Sequence, residues 1–182
     1  GGHCIPVDPF YLAWKAREYD FATRFIELAG EINLSMPYFV VGKTERILGT
    51  FRKSLRGSSV LVAGVAYKRD LSDYRESPAL KIIMLLASEG AHVDYHDPFI
   101  PELTIRNGVS HDNSRDAESE CLHMTSVPLE ETAPASYDVA IIVTNHSCMD
   151  YEKLLLVSNA VLDTRNELVS ATPKVRHRVW RL

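Results

Sequence analysis

The chain has 182 residues, of which 46% are hydrophobic and 24% charged, and its formal net charge at pH 7 is −4. This balance is typical of a globular protein with a sizeable core, and it argues against the basic surface that a nucleic-acid partner requires. No apolar run approaches the roughly 18 residues that a membrane-spanning helix needs. The three cysteines, Cys4, Cys121 and Cys148, are too widely spaced for a disulfide framework or a metal site, which predicts a cytoplasmic protein without a bound metal.

Residues 8–51 are predicted to be one long helical segment. Asp8 and Pro9 predict its start, because aspartate caps free backbone N–H groups and proline is tolerated at the first helical position. Apolar residues then recur at intervals of three and four, and Pro37 predicts a kink because it removes a helical hydrogen bond. Since apolar residues lie on more than one side, the segment needs a partner surface, and we expect a homodimer through these helices.

Beyond Gly57 the pattern changes to short apolar runs. We predict strands at SVLVAGVAY, AHVDYHDP, YDVAIIVT and NAVLDTRN, and helices at SPALKIIMLLASEG and YEKLLLVS. Such an alternation predicts an α/β fold, in which the long helical segment is followed by a doubly wound, Rossmann-like parallel sheet. The acidic stretch from residue 105 to 132 predicts a loop, with a short strand possible from Leu122 to Thr125.

Polar segments follow the predicted strands. Ligands of a doubly wound sheet bind beyond the carboxyl ends of its strands. These ends fall at residues 64–75, 97–98, 144–147 and 163–166. We therefore expect four polar segments to converge at one edge of the sheet.

The first of these segments contains the cations Lys68 and Arg75. It lacks the G-x-G-x-x-G spacing of a self-sufficient dinucleotide site. Both cations precede a helix N-terminus that Ser77 and Pro78 are predicted to form, and this combination favours an anionic, phosphate-bearing ligand. A solvated loop of mixed charge is the open alternative.

Three further polar residues follow the later strands. Arg165 is predicted either to face the ligand beside Lys68 or to belong to a plain strand-to-loop transition. Asp97 has the position of a ribose-binding acid, but Asp-Pro is also a common turn, and we favour the turn. His146 has no evident partner in the sequence, so we expect it at the surface.

Cys4 lies in a loop between two glycines and two prolines. A thiolate attacks carbonyl carbons, and the predicted helix N-terminus a few residues away favours the thiolate form. Asp8 could hold a water for thioester hydrolysis or serve only as the helix cap. From spacing alone, an inert thiol remains the alternative for Cys4.

Six segments of the chain share a pattern with one known family. In chain order they are GGHCIPVDPFYL, INLSMPYFVV, VLVAGVAYKRDLSDYRESPAL, GAHVDYHDP, VTNHSCMDYEKL and VLDTRN. Together they resemble the UDP-glucose/GDP-mannose dehydrogenase family, over nearly the whole chain and most weakly in the acidic loop. Ile5 and Val7 make the first segment most similar to the branch that oxidises UDP-N-acetylhexosamines, since the UDP-glucose branch usually has phenylalanine and lysine there.

The resemblance implies the C-terminal part of an NAD-dependent UDP-sugar 6-dehydrogenase. Residues 1–56 then hold the catalytic cysteine loop and the central dimerisation helices, and residues 57–182 form the UDP-sugar-binding Rossmann-like domain. The N-terminal NAD-binding domain is expected to lie outside this chain, which alone should be inactive. Members of the family oxidise the sugar C6 alcohol to a carboxylate with two NAD⁺.

The resemblance also implies roles for individual residues. Cys4 captures the aldehyde as a thiohemiacetal that is oxidised to a thioester, and Asp8 orients or activates the hydrolytic water. The binding positions that it implies are Gly1, Gly2, Lys68 and Arg165 for the UDP-sugar and Arg75 for NAD.

Three other functions remain open on sequence grounds. The first is a UDP-glucose 6-dehydrogenase, because contacts to the acetamido group would come largely from outside this chain. The second is a catalytically silent UDP-sugar-binding dimerisation module, which the intact Cys4, Asp8 and Lys68 argue against. The third is a cysteine hydrolase with His3 as the base, which we disfavour because adjacent loop residues commonly point apart.

Overall fold

The computed structural model describes residues 7–106, 121–170 and 178–182. Two short 3₁₀ turns accompany the regular elements, at Leu129–Glu131 and Glu167–Ser170. Within the described ranges the elements in chain order are α1 (Asp8–Arg17), α2 (Arg24–Thr50), β1 (Ser59–Ala63), α3 (Pro78–Ser88), β2 (His92–His96), β3 (Glu102–Arg106), β4 (Cys121–Thr125), β5 (Tyr137–Ile142), α4 (Tyr151–Val157), β6 (Ser158–Asp163) and β7 (Val179–Arg181).

A five-stranded sheet in the order β2-β1-β5-β6-β7 forms the centre of the protein, and every pair in it is parallel. Alternate residues of β1 enter different cores: Val60 and Val62 face α2 and α3, whereas Leu61 and Ala63 face α4. All four side chains are fully buried. Because both faces are covered at the centre of the sheet, the central strands β1 and β5 contain unbroken apolar runs. The predicted doubly wound, Rossmann-like sheet is confirmed.

The two helical layers are built from different parts of the chain. The C-terminal half of α2 contributes Ile47 and Leu48 to the core that it shares with α3, and α4 covers the opposite face together with the turn at Leu129. The predicted cap of α3 is confirmed, since the Ser77 hydroxyl accepts a hydrogen bond from the Ala79 amide at 3.3 Å. This cap places the N-terminus of α3 at the carboxyl edge of the sheet.

The predicted long helical segment is two helices rather than one. Residues 18–23 interrupt it, and Asp20 there has a left-handed φ of +54° that no helix can contain. The prediction that Asp8 caps α1 was wrong: Val7 is the N-cap, Asp8 is the first helical residue, and no side chain caps this end. Pro37 lies inside α2, which continues to Thr50.

Helix α1 folds back onto the first half of α2. The Phe10 ring covers Gly30, where a Cβ atom would lie 2.3 Å from the ring, so a small residue is needed at this crossing. The outer surface of the pair stays apolar, with Trp14 57% and Phe25 89% exposed. The homodimer through these helices, and the domain boundary between residues 56 and 57, remain predictions.

Two elements escaped the sequence analysis. The short strand expected at Leu122 to Thr125 is confirmed as part of β4, but it pairs antiparallel with β3, which the sequence analysis did not predict. The last strand, β7, has only three residues and extends the parallel sheet beyond β6. Strands this short have too few alternating positions for a pattern to reveal them. Across the three described ranges, no helix combines the length and the apolarity that crossing a bilayer requires.

Candidate functional site: the carboxyl edge of the sheet

The strand order reverses between β1 and β5. After β1 the chain adds β2 on one side, whereas after β5 it adds β6 on the other. At such a switch point the connections diverge and open a crevice beyond the carboxyl ends, where doubly wound sheets bind ligands. The predicted convergence of polar segments is found here, because parallel strands place all their carboxyl ends at one edge.

Gly64 allows three strand ends to meet at the crevice. Its amide donates to the His96 carbonyl at 2.9 Å, which joins the ends of β1 and β2. A Cβ atom at this position would lie 2.0 Å from the Thr144 carbonyl oxygen, and its φ is +79°. Two residues further on, the Thr144 hydroxyl donates to the Ala66 carbonyl at 2.6 Å. The segment after β1 is thus held directly against the end of β5.

Asp97 is the hub of the hydrogen bonds at this edge. Its Oδ2 accepts the amides of Val65 at 2.7 Å and Ala66 at 3.1 Å, and its Oδ1 accepts the Phe99 amide at 2.9 Å. The last bond forms the turn that we favoured. With 2% of its surface exposed, Asp97 has no oxygen left for a ribose, which argues against the ribose-binding alternative.

The prediction of a surface position for His146 was wrong. The side chain is fully buried, and its Nε2 lies 3.1 Å from Asp97 Oδ2. Its Nδ1 accepts the backbone amide of Asp70 at 2.9 Å, and the Phe99 ring lies 5.0 Å from the imidazole between ring centroids. These partners were not evident from the sequence because they come from the ends of other strands.

The loop that contains Lys68 is attached to the sheet on both sides of that residue. Ala66 is bound by Asp97 and Thr144, and Asp70 is bound by His146. The Asp70 carboxylate also accepts the Ser147 amide at 2.8 Å, and this bond lowers the pKa of Asp70. The Lys68 side chain is exposed and forms no hydrogen bond or ion pair with the described residues. It is therefore free to contact an anion.

Arg165 reaches toward the same crevice from the end of β6. Its Nε donates to the Val143 carbonyl at 2.6 Å, and its amide donates to Asp163 at 2.9 Å. Asp163 is fully buried and also accepts the Leu168 amide at 2.8 Å, so it fixes the turn that follows β6. Within the described part of the chain, no acceptor binds the two terminal nitrogens of Arg165. The bond from Nε orients the guanidinium, and the two terminal nitrogens can donate to a ligand.

The other predicted site residues have different surroundings. Arg75 is exposed and forms an ion pair with Asp73, with Nη2 2.7 Å from the carboxylate. Asp8 lines an apolar groove of about 680 Å³ with Phe25 and other residues of α1 and α2. No hydrogen bond among the described residues joins Asp8 to the carboxyl edge. The remaining predicted residues, Gly1, Gly2 and Cys4, lie outside the described residues, so their roles stay predictions.

A complete NAD site does not fit the described residues. The loop after β1 has no G-x-G-x-x-G, and its one glycine, Gly64, is closed off by the Thr144 carbonyl rather than open to a pyrophosphate. Arg75 is a cation that could reach a dinucleotide bound elsewhere, but by itself it forms no site. In the same described ranges, no group of three histidine, cysteine or acidic residues could hold a metal ion.

Sequence reasoning missed the buried acceptor Asp163 and the buried donor His146. It predicted the turn at Asp97 but missed that this carboxylate also accepts the amides of the loop after β1. A usable signal existed for the acids: each lies at the carboxyl end of a predicted strand, where a side chain can accept the free amides of the next turn. For His146 there was no comparable signal, since its two partners are 49 and 76 residues away.

The pH dependence of stability tests how much the Asp97 carboxylate stabilises the fold. Burial alone would raise the pKa of Asp97, but hydrogen bonds from His146, Phe99 and Val65 outweigh it and lower the pKa below its ordinary value of 3.8. The carboxylate therefore stabilises the fold above that value, and the contribution is lost as the pH falls below it. Asp97→Asn should lower the free energy of unfolding at pH 7 by about 2 kcal/mol or more.

Urea denaturation from pH 7 to pH 3 measures this contribution. We expect the difference in unfolding free energy between wild type and Asp97→Asn to narrow as the pH falls below the ordinary pKa, because the unfolded state then binds a proton that the native carboxylate does not. If the difference in unfolding free energy stays constant from pH 7 to pH 3, the ionised Asp97 carboxylate does not contribute to stability.

The parallel sheet and its polar switch-point crevice define a Rossmann-like α/β domain of the nucleotide-binding kind. Comparison with known families agrees with this class. The model of the UDP-glucose/GDP-mannose dehydrogenase family, UDP binding domain, matches residues 61–170, and the model of the central domain of that family matches residues 1–35. The chain belongs to the UDP-glucose/GDP-mannose dehydrogenase family, and the resemblance noted in the sequence is confirmed.

Individual relatives fall in the acetylhexosamine branch. The chain is 33% identical over 147 residues to UDP-N-acetyl-D-mannosamine dehydrogenase of Campylobacter jejuni, covering 80% of this chain and 31% of that protein. It is 27% identical over 149 residues to UDP-N-acetyl-D-glucosamine 6-dehydrogenase of Salmonella typhi, with the same coverage of 80% and 31%. The solved UDP-N-acetyl-mannosamine dehydrogenase from S. aureus superposes with a TM-score of 0.64 and 28% identity, covering 100% of this chain and 37% of the other. The chain thus spans about a third of these relatives.

Proposed function

We propose that this chain is the UDP-binding, cysteine-bearing part of an NAD-dependent dehydrogenase that oxidises C6 of a UDP-N-acetylhexosamine. The main support is one observation at the switch-point crevice. The Lys68 loop and the Arg165 guanidinium are bonded to consecutive residues, Thr144 and Val143, at the end of β5. Neighbouring strands lie about 4.8 Å apart, so both cations are within reach of one diphosphate. The diphosphate of the UDP-sugar is the ligand that suits this pair.

The proposed chemistry takes place at Cys4. The thiolate adds to the C6 aldehyde that the first oxidation produces and forms a thiohemiacetal. Loss of a proton and a hydride from this adduct, with NAD⁺ bound outside the described residues as the hydride acceptor, would give a thioester, and water would then cleave the thioester to the carboxylate and the thiol. Asp8, four residues after Cys4 in the sequence, orients or activates that water. Gly1 and Gly2 provide backbone contacts near the sugar.

The remaining parts of the proposal concern cofactor and assembly. Arg75 is proposed to face NAD, whose complete site the described residues do not form. The apolar outer surface of α1 and α2 is proposed to form a homodimer interface, where burial of residues such as Trp14 and Phe25 would provide the driving force. We propose a cytoplasmic location, as expected for an enzyme with free cysteines.

A UDP titration tests the ligand site on the chain as it stands. Isothermal calorimetry should show UDP binding by the wild type. Lys68→Ala and Arg165→Ala should each weaken it about 10-fold or more, because each removes a charge-assisted hydrogen bond to phosphate. Both side chains are exposed, so neither substitution should unfold the domain.

Lys53→Ala is the matched control, because it removes one positive charge from an exposed lysine that pairs with Asp138 at the start of β5, at the opposite edge of the sheet. It should leave the affinity for UDP within about 2-fold, since surface charges beyond a Debye length are screened. Equal, negligible binding by the wild type and both site variants would refute the ligand site at this edge.

A further inference from the structure

His146 is the one fully buried histidine among the described residues, and the proposed chemistry does not use it. Its ring lies between two groups from different elements. On one side Nδ1 accepts the Asp70 amide at 2.9 Å, and on the other Nε2 lies 3.1 Å from Asp97 Oδ2. The ring thus connects the end of β2 with the loop after β1.

These contacts determine which tautomer the ring adopts. An Nδ1 that accepts an amide proton carries no proton itself, so the neutral ring has its proton on Nε2 and donates it to Asp97. Histidine suits this place because one flat side chain provides an acceptor and a donor on opposite sides. Neither an asparagine nor a glutamine can supply both at these two positions.

The position of Lys68 depends on these bonds. Within the loop, the Tyr67 amide donates to the Asp73 carbonyl at 3.0 Å, which closes the loop on itself but does not attach it to the sheet. Attachment before Lys68 comes from Ala66, held by Asp97 and Thr144. After Lys68, it comes from the bonds of Asp70 to His146 and Ser147. Removing the bond to His146 leaves the bond from the Ser147 amide to the Asp70 carboxylate, which is exposed.

We propose that His146 is a positioning residue for UDP binding, which holds the Asp70 amide so that Lys68 is fixed over the switch-point crevice. This inference rests on the proposed function, because it assumes that Lys68 contacts the diphosphate. A fixed lysine loses less side-chain and loop freedom when the ligand binds, and this preorganisation increases affinity.

Two substitutions at His146 separate its two bonds. In His146→Asn the side-chain oxygen lies near the position of Nδ1 and can still accept the Asp70 amide. In His146→Gln the amide nitrogen lies near the position of Nε2 and can still donate to Asp97, but the acceptor for Asp70 is lost. We therefore expect UDP affinity to fall about 5- to 10-fold in His146→Gln and to stay within about 3-fold in His146→Asn.

The test is a double-mutant cycle with Lys68, measured by UDP calorimetry on the chain after thermal melting has shown that each variant is folded. If His146 acts through Lys68, His146→Gln should change UDP affinity by less than about 2-fold in the Lys68→Ala background. His92→Gln is the matched control, because His92 is exposed at the start of β2, at the opposite edge of the sheet. This control should bind UDP like the wild type.

Asp70→Gly tests the other bond that attaches Asp70 to the sheet if His146→Gln does not fold. Asp70 is exposed with a φ of +58°, which glycine adopts readily, and the substitution removes the carboxylate that accepts the Ser147 amide. It should weaken UDP binding only when Lys68 is present. Equal losses with and without Lys68 would overturn the inference, as would undiminished affinity in both variants while Lys68→Ala weakens binding. A wild type that does not bind UDP would overturn the proposed function and this inference together.

Discussion

Replacing Gly64 with alanine should lower the free energy of unfolding of the α/β domain by about 3 to 5 kcal/mol. Two costs combine at this position. The added Cβ would lie 2.0 Å from the Thr144 carbonyl oxygen, which is backbone and cannot rotate away, so the ends of β1 and β5 must move apart. Alanine at a φ of +79° adds about 1 kcal/mol or more. Urea denaturation monitored by far-UV circular dichroism measures the total.

Gly57→Ala separates the two costs. Gly57 has almost the same φ, +78°, but no atom lies within 4 Å of its would-be Cβ. We expect this control to lose only about 1 kcal/mol, the cost of the left-handed backbone. If both variants lose a similar amount of unfolding free energy, the ends of β1 and β5 can move apart to accept the Cβ of residue 64 at no cost.

Cys4→Ala should reduce turnover by at least about 10³-fold in the complete protein, assayed as NADH formation with UDP-N-acetylmannosamine and NAD⁺. Without the thiolate no thioester can form, so the route from aldehyde to carboxylate lacks its covalent intermediate. Affinity for UDP should change less than about 2-fold, because the proposed diphosphate contacts belong to Lys68 and Arg165. The wild type should form two NADH for each carboxylate.

Cys121→Ala controls for loss of a thiol as such. Cys121 is exposed on β4 and has no part in the proposed site, so its removal should leave turnover within about 2-fold. Normal carboxylate formation by Cys4→Ala would exclude the covalent route. UDP binding by the wild type, with no oxidation of any UDP-sugar by the complete protein, would instead favour the silent binding module.

The fold was predictable because its central strands β1 and β5 are buried on both faces. VLVA and AIIV are continuous apolar runs, and such runs alternating with helices have few solutions other than a parallel, doubly wound sheet. The break between α1 and α2 was not predictable, since apolar residues recur through it at helical spacing. The strands β3 and β7 were missed because they have only five and three residues, too few to show the two-residue alternation of a strand.

The candidate site was predictable only in part. Lys68 and Arg165 were found because each follows an apolar run, and the carboxyl ends of parallel strands share an edge. His146 was misplaced at the surface by the same local reasoning, since nothing in TNHSCMD shows what lies beside it.

The amino-acid sequence by itself determined the family, the parallel sheet and the cations at its edge, because these follow from local runs and from motifs that are continuous in the chain. The tertiary structure alone decided that Asp97, His146 and Asp70 form one connected set of hydrogen bonds. The physical reason is that a buried polar side chain must find its partners among whichever strand ends lie beside it. The order β2-β1-β5 brings together residues that are 49 and 76 positions apart.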